Sequence, residues 1–184
     1  VDEIIEHMED NYMIAAGVDD KTNKEVLELC KKYYNIYGAI GIHPNEVKDS
    51  KEEELNFIEK HINDNKIMAI GEIGLDYHYG IEEKELQKQY FKKQLDMARK
   101  YRKAVVIHSR DSIEDTYQIM KEYKDVKMTL HCYSGSVEMA KKFLELNVYF
   151  GIGGVVTFKN NRILKEVVKM LPLSRILLET DSPY

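Results

Sequence analysis

The sequence contains few of the residues that form disulfides, linkers and turns. Its 184 residues include 2 Cys, 3 Pro and 10 Gly. Two cysteines cannot form the disulfide framework of a small secreted domain, so we expect a reducing, cytoplasmic environment. Because no Pro-rich or Gly-rich stretch divides the chain, and because its length is that of one typical domain, we expect a single domain over residues 1–184.

Long apolar runs and an excess of positive charge are also missing. No run approaches the roughly 18 apolar residues that a transmembrane helix needs, and the acidic first residues do not resemble a secretory signal. The 27 Lys and Arg are outnumbered by 32 Asp and Glu, which argues against a protein that coats nucleic acid through a broad basic surface. The composition is still compatible with an enzyme that holds phosphate groups through metal ions and a few local cations.

Seven short apolar runs are present, and they predict the fold. Each run is nearly continuous rather than alternating, which is typical of strands that are buried on both faces of a parallel sheet. The predicted strands cover residues 12–18, 37–42, 67–73, 104–108, 127–131, 148–153 and 176–179. Amphipathic stretches between them predict crossover helices, the longest over residues 82–101, with Thr22 and Asp111 as predicted N-caps of two others. This α/β alternation fits a doubly wound sheet or a (β/α)8 barrel, and no G-x-G-x-x-G motif follows the first strand to favour the former.

Imidazoles and carboxylates occur where the predicted strands end. The polar residues at these positions are His43, Glu72, His108, His131, Glu179 and Asp181. In parallel α/β folds the carboxyl ends of the strands form the ligand-binding edge, so these side chains are expected to meet there. Mixed nitrogen and oxygen ligands suit Zn²⁺ or Mn²⁺, whereas Mg²⁺ prefers oxygen alone. The pattern therefore predicts a divalent metal site formed by Glu72, His108, His131 and Asp181.

Each of these residues also has an ordinary structural interpretation. His43 could bind a loop carbonyl, Glu72 could form a buried ion pair, and Asp181 could cap a turn. Arg110 could bind a phosphate or form a surface ion pair. Ser134 could place an anion at a helix start or act only as a cap.

Five strings, in order along nearly the whole chain, resemble the TatD family of metal-dependent deoxyribonucleases. They are Gly41-Ile-His-Pro44, Gly71-Glu-Ile-Gly-Leu-Asp-Tyr77, Val106-Ile-His-Ser-Arg110, His131-Cys-Tyr-Ser-Gly135 and Leu178-Glu-Thr-Asp-Ser-Pro183. The resemblance implies a TIM-type (β/α)8 barrel of the amidohydrolase-like class. It also implies one or two divalent cations, Mg²⁺, Zn²⁺ or Mn²⁺, at the barrel mouth.

The resemblance also implies roles for individual residues. The implied metal ligands are Glu72, His108, His131 and Asp181. Among them, Glu72 would bridge two ions and Asp181 would also accept the proton of the attacking water, so both are the predicted catalytic residues. The implied substrate-side residues are His43, Arg110, Tyr133 and Ser134. The implied activity is 3′-to-5′ exonucleolytic hydrolysis of a DNA substrate. We expect neither a membrane nor an obligate protein as a partner.

The sequence departs from the family pattern at its start. Family members open with a strand that carries a His-x-His pair, and this sequence has no such pair; His7 lies alone in a helical pattern. The seven predicted strands would then be the second to eighth of the barrel, and the last helix would be missing. We therefore expect an incomplete copy of a longer chain, with weak activity of its own. A deacylase of aminoacyl-tRNA or another ester or amide, and an inactive fragment of such an enzyme, are the alternatives.

Overall fold

The structure is a computed structural model that describes residues 11–181. Residues 1–10, with His7 and the helical pattern around it, and residues 182–184 lie outside the described part. The strands are β1 (Met13–Ala16), β2 (Ile36–Ile40), β3 (Ile67–Asp76), β4 (Ala104–Arg110), β5 (Met128–Leu130), β6 (Val148–Ile152) and β7 (Ile176–Leu178). The α-helices are α1 (Asp20–Lys32), α2 (Glu52–His61), α3 (Lys84–Tyr101), α4 (Ile113–Met120), α5 (Val137–Leu144) and α6 (Arg162–Met170).

The strands form one parallel sheet whose order in space follows their order in the sequence, from β1 to β7. One helix crosses over between each pair of consecutive strands. This order is that of a (β/α)8 barrel, whereas the strand order of a doubly wound sheet reverses at a switch point. Within residues 11–181 the sheet has two edges, β1 and β7. The predicted seven-strand, barrel-type α/β fold is confirmed.

Two strands extend further than the sequence predicts, and both carry site residues. β3 continues to Asp76 and β4 to Arg110, because the two strands pair along their whole ends, with Gly74 opposite His108 and Asp76 opposite Arg110. The predicted run of β3 passes Glu72 and ends at Ile73, and the Gly74 that follows is a residue type depleted in strands, so the pattern alone does not reveal the continuation. The extension lengthens the binding edge by several residues.

The helix starts correct two predicted N-caps. Asp19, not Thr22, caps α1: its carboxylate accepts the Thr22 amide at 2.7 Å, and the Thr22 hydroxyl accepts the Asp19 amide at 3.0 Å. Thr22 is therefore the second partner of the capping box rather than its first residue. The N-cap of α4 is Ser112, one residue after the predicted Asp111, which instead adopts a left-handed φ of 53°.

The core lies between the sheet and its helices. The larger cluster packs β3 to β6 against α3 to α6 around Phe91, Phe143 and Phe150, and a second cluster packs β2 against α1 and α2 around Ile40 and Ile58. Full burial of one such side chain contributes about 1.5–3 kcal/mol. None of the helices within residues 11–181 is both long enough and apolar enough to span a bilayer.

Two buried glutamines of α3 hold the ends of two strands. The Gln87 amide accepts the Asp76 N–H and donates to the Asp76 carbonyl, both at 2.9 Å. Seven residues later, Gln94 accepts the Ile42 N–H at 2.8 Å and donates to the Ile42 carbonyl at 3.1 Å. A buried peptide group without a partner costs about 1–3 kcal/mol. The two side chains therefore fix the backbone beside the residues of the site.

Candidate metal centre

The four predicted metal ligands meet at the carboxyl edge of the sheet. Nδ1 of His108 lies 3.0 Å from Oε1 of Glu72, and Nε2 of His131 lies 4.0 Å from the same oxygen. Oδ1 of Asp181 lies 3.4 Å from Nε2 of His131. β3 and β4 present the first pair, while His131 and Asp181 follow β5 and β7. Their convergence confirms that the strand ends share one site; their role as ligands stays a prediction.

The cluster is partly buried at its base and open at its rim. Glu72, His108 and His131 are largely covered, whereas the side chain of Asp181 is 67% exposed. Asp181 is therefore the solvent-accessible member of the cluster.

Two further carboxylates hold the outer sides of the two imidazoles. Oδ2 of Asp76 lies 2.9 Å from Nε2 of His108, and Oε2 of Glu179 lies 2.8 Å from Nδ1 of His131. Each ring thus has one nitrogen on an outer carboxylate and the other directed towards Glu72. The sequence predicts Glu179 at a strand end but predicts no role for Glu179 or for Asp76. The sequence does contain a signal for Asp76: it lies four residues after Glu72 on the same strand, and residues four apart on a strand share a face.

His43 joins the cluster as a hydrogen-bond donor. Its ring lies edge-on to that of His108, with centroids 4.4 Å apart, and its Nδ1 accepts the Asn45 amide at 3.2 Å. Burial, together with the nearby charge of His108, lowers the pKa of His43 to about 4, so the ring is neutral at neutral pH. Because Nδ1 accepts, the tautomer assigned from this contact carries its proton on Nε2. In this tautomer Nε2 of His43 is a hydrogen-bond donor, although the ring also lies within reach of a metal held by Glu72 and His108.

The charges of the cluster favour a cation. Burial by itself raises the pKa of Glu72, but its hydrogen bond to His108 and the charge of His131 lower it overall. Burial likewise opposes the charge of His131, yet hydrogen bonds to Cys132 and Glu179 and the charge of Glu72 raise the pKa of His131 to about 11. Carboxylates that stabilise the positive charge of the His131 imidazolium also favour a divalent cation, which would displace that proton on binding.

Two groups of side chains in the described part have the donor types and spacing of a divalent metal site; they separate Glu72 and His108 from His131, and neither includes Asp181. Side-chain ligand atoms of His43, Glu72 and His108 lie within 4.8 Å of one another, as do those of His131, Cys132 and Glu179. The hydrogen bond to His131 lowers the pKa of the Cys132 thiol, but burial and the charge of Glu179 outweigh it and raise the pKa above its usual value. Imidazole nitrogen and carboxylate oxygen are the donors common to both groups, and a metal that bound Cys132 would displace the proton of its thiol.

The predicted substrate-side residues have different environments. Arg110 is exposed, and its guanidinium lies 5.5 Å from the ring centroid of Tyr79, itself 77% exposed. Ser134 is exposed in the loop before α5, but the cap of that helix is Ser136. Arg110 is the last residue of β4 and Ser134 follows β5, and both are accessible to solvent.

Tyr133 does not face the site. It is 3% exposed, its ring packs edge-on against Phe150, and its hydroxyl donates to the Ser136 carbonyl at 2.8 Å. The prediction that Tyr133 contacts the substrate is wrong, because a ring enclosed in the core cannot stack on a nucleotide base. The neighbouring Cys132 has a left-handed φ of 43°, and the residue after this turn points back into the core.

The family model described as TatD related DNase matches residues 2–184. The chain is 40% identical, over 174 residues, to the uncharacterized metal-dependent hydrolase YabD of Bacillus subtilis, a match that covers 94% of this chain and 68% of the relative. It is 34% identical, over 187 residues, to a putative deoxyribonuclease TATDN1 homolog of Encephalitozoon cuniculi, covering 100% of this chain and 65% of the relative.

Solved structures give the same relationship. The fold matches that of YjjV, a TatD homolog from Escherichia coli K12, with a TM-score of 0.89 and 29% identity over 94% of this chain and 68% of the other. It matches a TatD family hydrolase from Entamoeba histolytica with a TM-score of 0.80 and 30% identity, over 95% of this chain and 61% of the other. The chain thus spans roughly two thirds of the length of these proteins. It belongs to the TatD-related DNase family of metal-dependent hydrolases, with the seven parallel strands of a TIM-type barrel.

Proposed function

We propose that this chain carries the metal centre of a hydrolase that cleaves phosphodiester bonds of DNA, releasing nucleotides in the 3′-to-5′ direction. The observation that carries the proposal is the position of Glu72 between the inward nitrogens of His108 and His131. The accessible Asp181 and the N–H of His43 support it. Cys30 and Cys132 are free thiols, which supports a reducing compartment, and we assign the protein to the cytoplasm.

Glu72, His108, His131 and Asp181 would hold the divalent ion. When bound, such an ion supplies positive charge for the phosphate and makes a nearby water molecule more acidic. The covered ligands hold their geometry because their other polar atoms are already bonded, as with Nδ1 of His131 on Glu179. Measurements of the chain's affinity for Mg²⁺, Zn²⁺ and Mn²⁺, and of its activity with each, would identify the ion.

The side chains of the rim would act on the substrate. Asp181 orients the attacking water and accepts its proton, since an exposed carboxylate within hydrogen-bond reach can act as a general base. His43, neutral and protonated on Nε2, donates to a phosphate oxygen. Arg110 presents its guanidinium to a neighbouring phosphate, and the hydroxyl of Ser134 donates at the other side of the mouth.

The exposed pair of Tyr79 and Arg110 favours a nucleic acid as the substrate. Aromatic side chains that stack on bases contribute about 1–3 kcal/mol per base, and arginine adds cation–π contact. Here Arg110 lies over the Tyr79 ring two residues beyond His108. A nucleotide next to the scissile phosphate therefore has both a planar surface and a cation within the same loop region.

The test is to incubate the purified chain with end-labelled single-stranded DNA and each metal. We expect slow mononucleotide release that starts at the 3′ end, stops with a chelator, and is lost in Glu72→Gln. The surface variant Glu122→Gln, on an exposed ion pair with Lys92, is the matched control. Absence of metal-dependent release, or equal release by Glu72→Gln, would contradict the proposal. Deacylation of aminoacyl-tRNA without DNA cleavage would assign the alternative substrate.

A further inference from the structure

The carboxylate of Asp76 lies behind His108, on the side away from Glu72. Asp76 is 2% exposed, and its oxygens have three partners in the described part of the chain. Oδ2 contacts Nε2 of His108 at 2.9 Å and accepts from Asn45 at 3.3 Å, and Oδ1 accepts the backbone amide of His78 at 2.9 Å. A buried carboxylate is stable only when it is bonded in this way. Asp76 is therefore held in one orientation towards His108.

The backbone of Asp76 is held as firmly as its side chain. Gln87 of α3 is 5% exposed and binds both the N–H and the carbonyl of Asp76. Moving Asp76 by a few tenths of an ångström would strain two buried hydrogen bonds in addition to those of the carboxylate. Its place behind His108 is thus set by the docking of α3 on the sheet.

This contact selects one nitrogen of His108. The carboxylate of Asp76 is an acceptor, so Nε2 of His108 carries a proton that it donates to Asp76. Nδ1 faces the Glu72 carboxylate at 3.0 Å, so a metal held by Glu72 would displace a proton from Nδ1 and leave the proton of Nε2 on Asp76. A fixed ring with a fixed tautomer loses little entropy when it binds an ion, and the outer carboxylate makes the ligating nitrogen more basic.

We propose that Asp76, held by Gln87, is a positioning residue that fixes the orientation and tautomer of His108 for a divalent cation. The inference rests on the proposed ligand set, in which His108 and Glu72 bind the ion. Loss of an outer partner of a metal-binding histidine typically weakens metal affinity by about 10- to 100-fold.

The experiment measures metal binding directly on the full chain. Zn²⁺ affinity is obtained by competition with a chromophoric chelator, and Co²⁺ binding is followed by its visible absorption. The variants are Asp76→Asn, which keeps the shape and removes the charge, and Gln87→Met, which removes only the backbone clamp. Asp115→Asn is the matched control, because Asp115 pairs with Lys84 and Lys88 and contacts neither imidazole.

We expect Asp76→Asn to weaken Zn²⁺ binding about 10- to 100-fold and to change the Co²⁺ spectrum. Gln87→Met should act in the same direction by a smaller factor, and Asp115→Asn should leave both readouts unchanged. If the unaltered chain binds neither ion, the ligand set and this inference both fail. If it binds and Asp76→Asn matches it in affinity and spectrum, only the inference fails. Should circular dichroism show that Asp76→Asn is unfolded, Gln87→Met decides, and wild-type affinity in that variant overturns the inference.

Discussion

The carboxylate of Glu72 and the imidazole of His131 face each other with 4.0 Å between Oε1 and Nε2. This separation is too long for a hydrogen bond, so neither group satisfies the other. It is within reach of a single ion, whose bonds to nitrogen and oxygen ligands are about 2.0–2.2 Å long. The relationship makes Glu72 the group on which the proposed site depends.

Replacing Glu72 with glutamine should remove most metal affinity and activity. The amide keeps the shape but not the charge that opposes the imidazoles, and we expect losses above about 100-fold, the upper end for groups that only support a ligand. Isothermal titration with Zn²⁺ and the nuclease assay measure the two effects. Full occupancy of Glu72→Gln at the metal concentration that saturates the unaltered chain would be inconsistent with its role as a ligand.

Asp181→Asn should affect turnover more than folding. Its side chain is mostly exposed, so the variant should melt within a few degrees of the parent. Loss of a general base typically costs about 10²- to 10⁴-fold in rate. The rate of nucleotide release at saturating metal tests this, with Asp20→Asn as control, since Asp20 forms an ion pair with Lys24 on α1 and its side chain is 47% exposed. Undiminished turnover would remove Asp181 from the chemistry.

Arg110→Ala should weaken substrate binding without disturbing the metal. The guanidinium is exposed and contacts Tyr79 rather than the imidazoles. We expect KM for DNA to rise severalfold, with Zn²⁺ affinity unchanged and with a smaller dependence of binding on salt, because one phosphate contact is lost. Fluorescence anisotropy at several salt concentrations measures this. An unchanged salt slope would indicate that Arg110 does not reach the phosphate.

Acid should weaken the link between α3 and α4. The hydrogen bond from Lys84, with further contacts to Lys88 and Tyr77, lowers the pKa of Asp115 from 3.8 to about 2 in the folded chain. The lowered pKa means that Asp115 stabilises the fold above pH 3.8 and that this contribution is lost as the pH falls towards 2. Asp115→Asn should therefore reduce the free energy of unfolding by about 1 kcal/mol at pH 7, a value discounted for solvent screening. Urea unfolding at a series of pH values should show the difference shrinking below pH 4; a constant difference would contradict it.

The sequence predicts the inner strands well because they are apolar almost throughout. Runs such as residues 104–108 and 148–153 lie in β4 and β6, which have a neighbouring strand on each side. The convergence of Glu72 with His108 and His131 follows from the same reasoning, because parallel strands end at a common edge.

The supporting contacts could not be predicted in this way. The Gln87 clamp depends on how α3 docks on the sheet, and the pattern of α3 marks Gln87 only as a polar residue on a helix. The prediction for Tyr133 is wrong because a residue two positions after His131 need not face the same site, and Tyr133 is 3% exposed. The left-handed φ at Cys132 sends the next side chain inwards, and nothing in the residue types announces that turn.

The two glutamines of α3 attach the backbone near both imidazoles to the same helix. Gln94 binds the backbone of Ile42, just before His43, and Gln87 binds the backbone of Asp76, whose carboxylate contacts His108. Because both attachments belong to one helix, a displacement of α3 would move the backbone beside both rings together. The distance between the rings of His43 and His108 would then depend little on movements of the other helices.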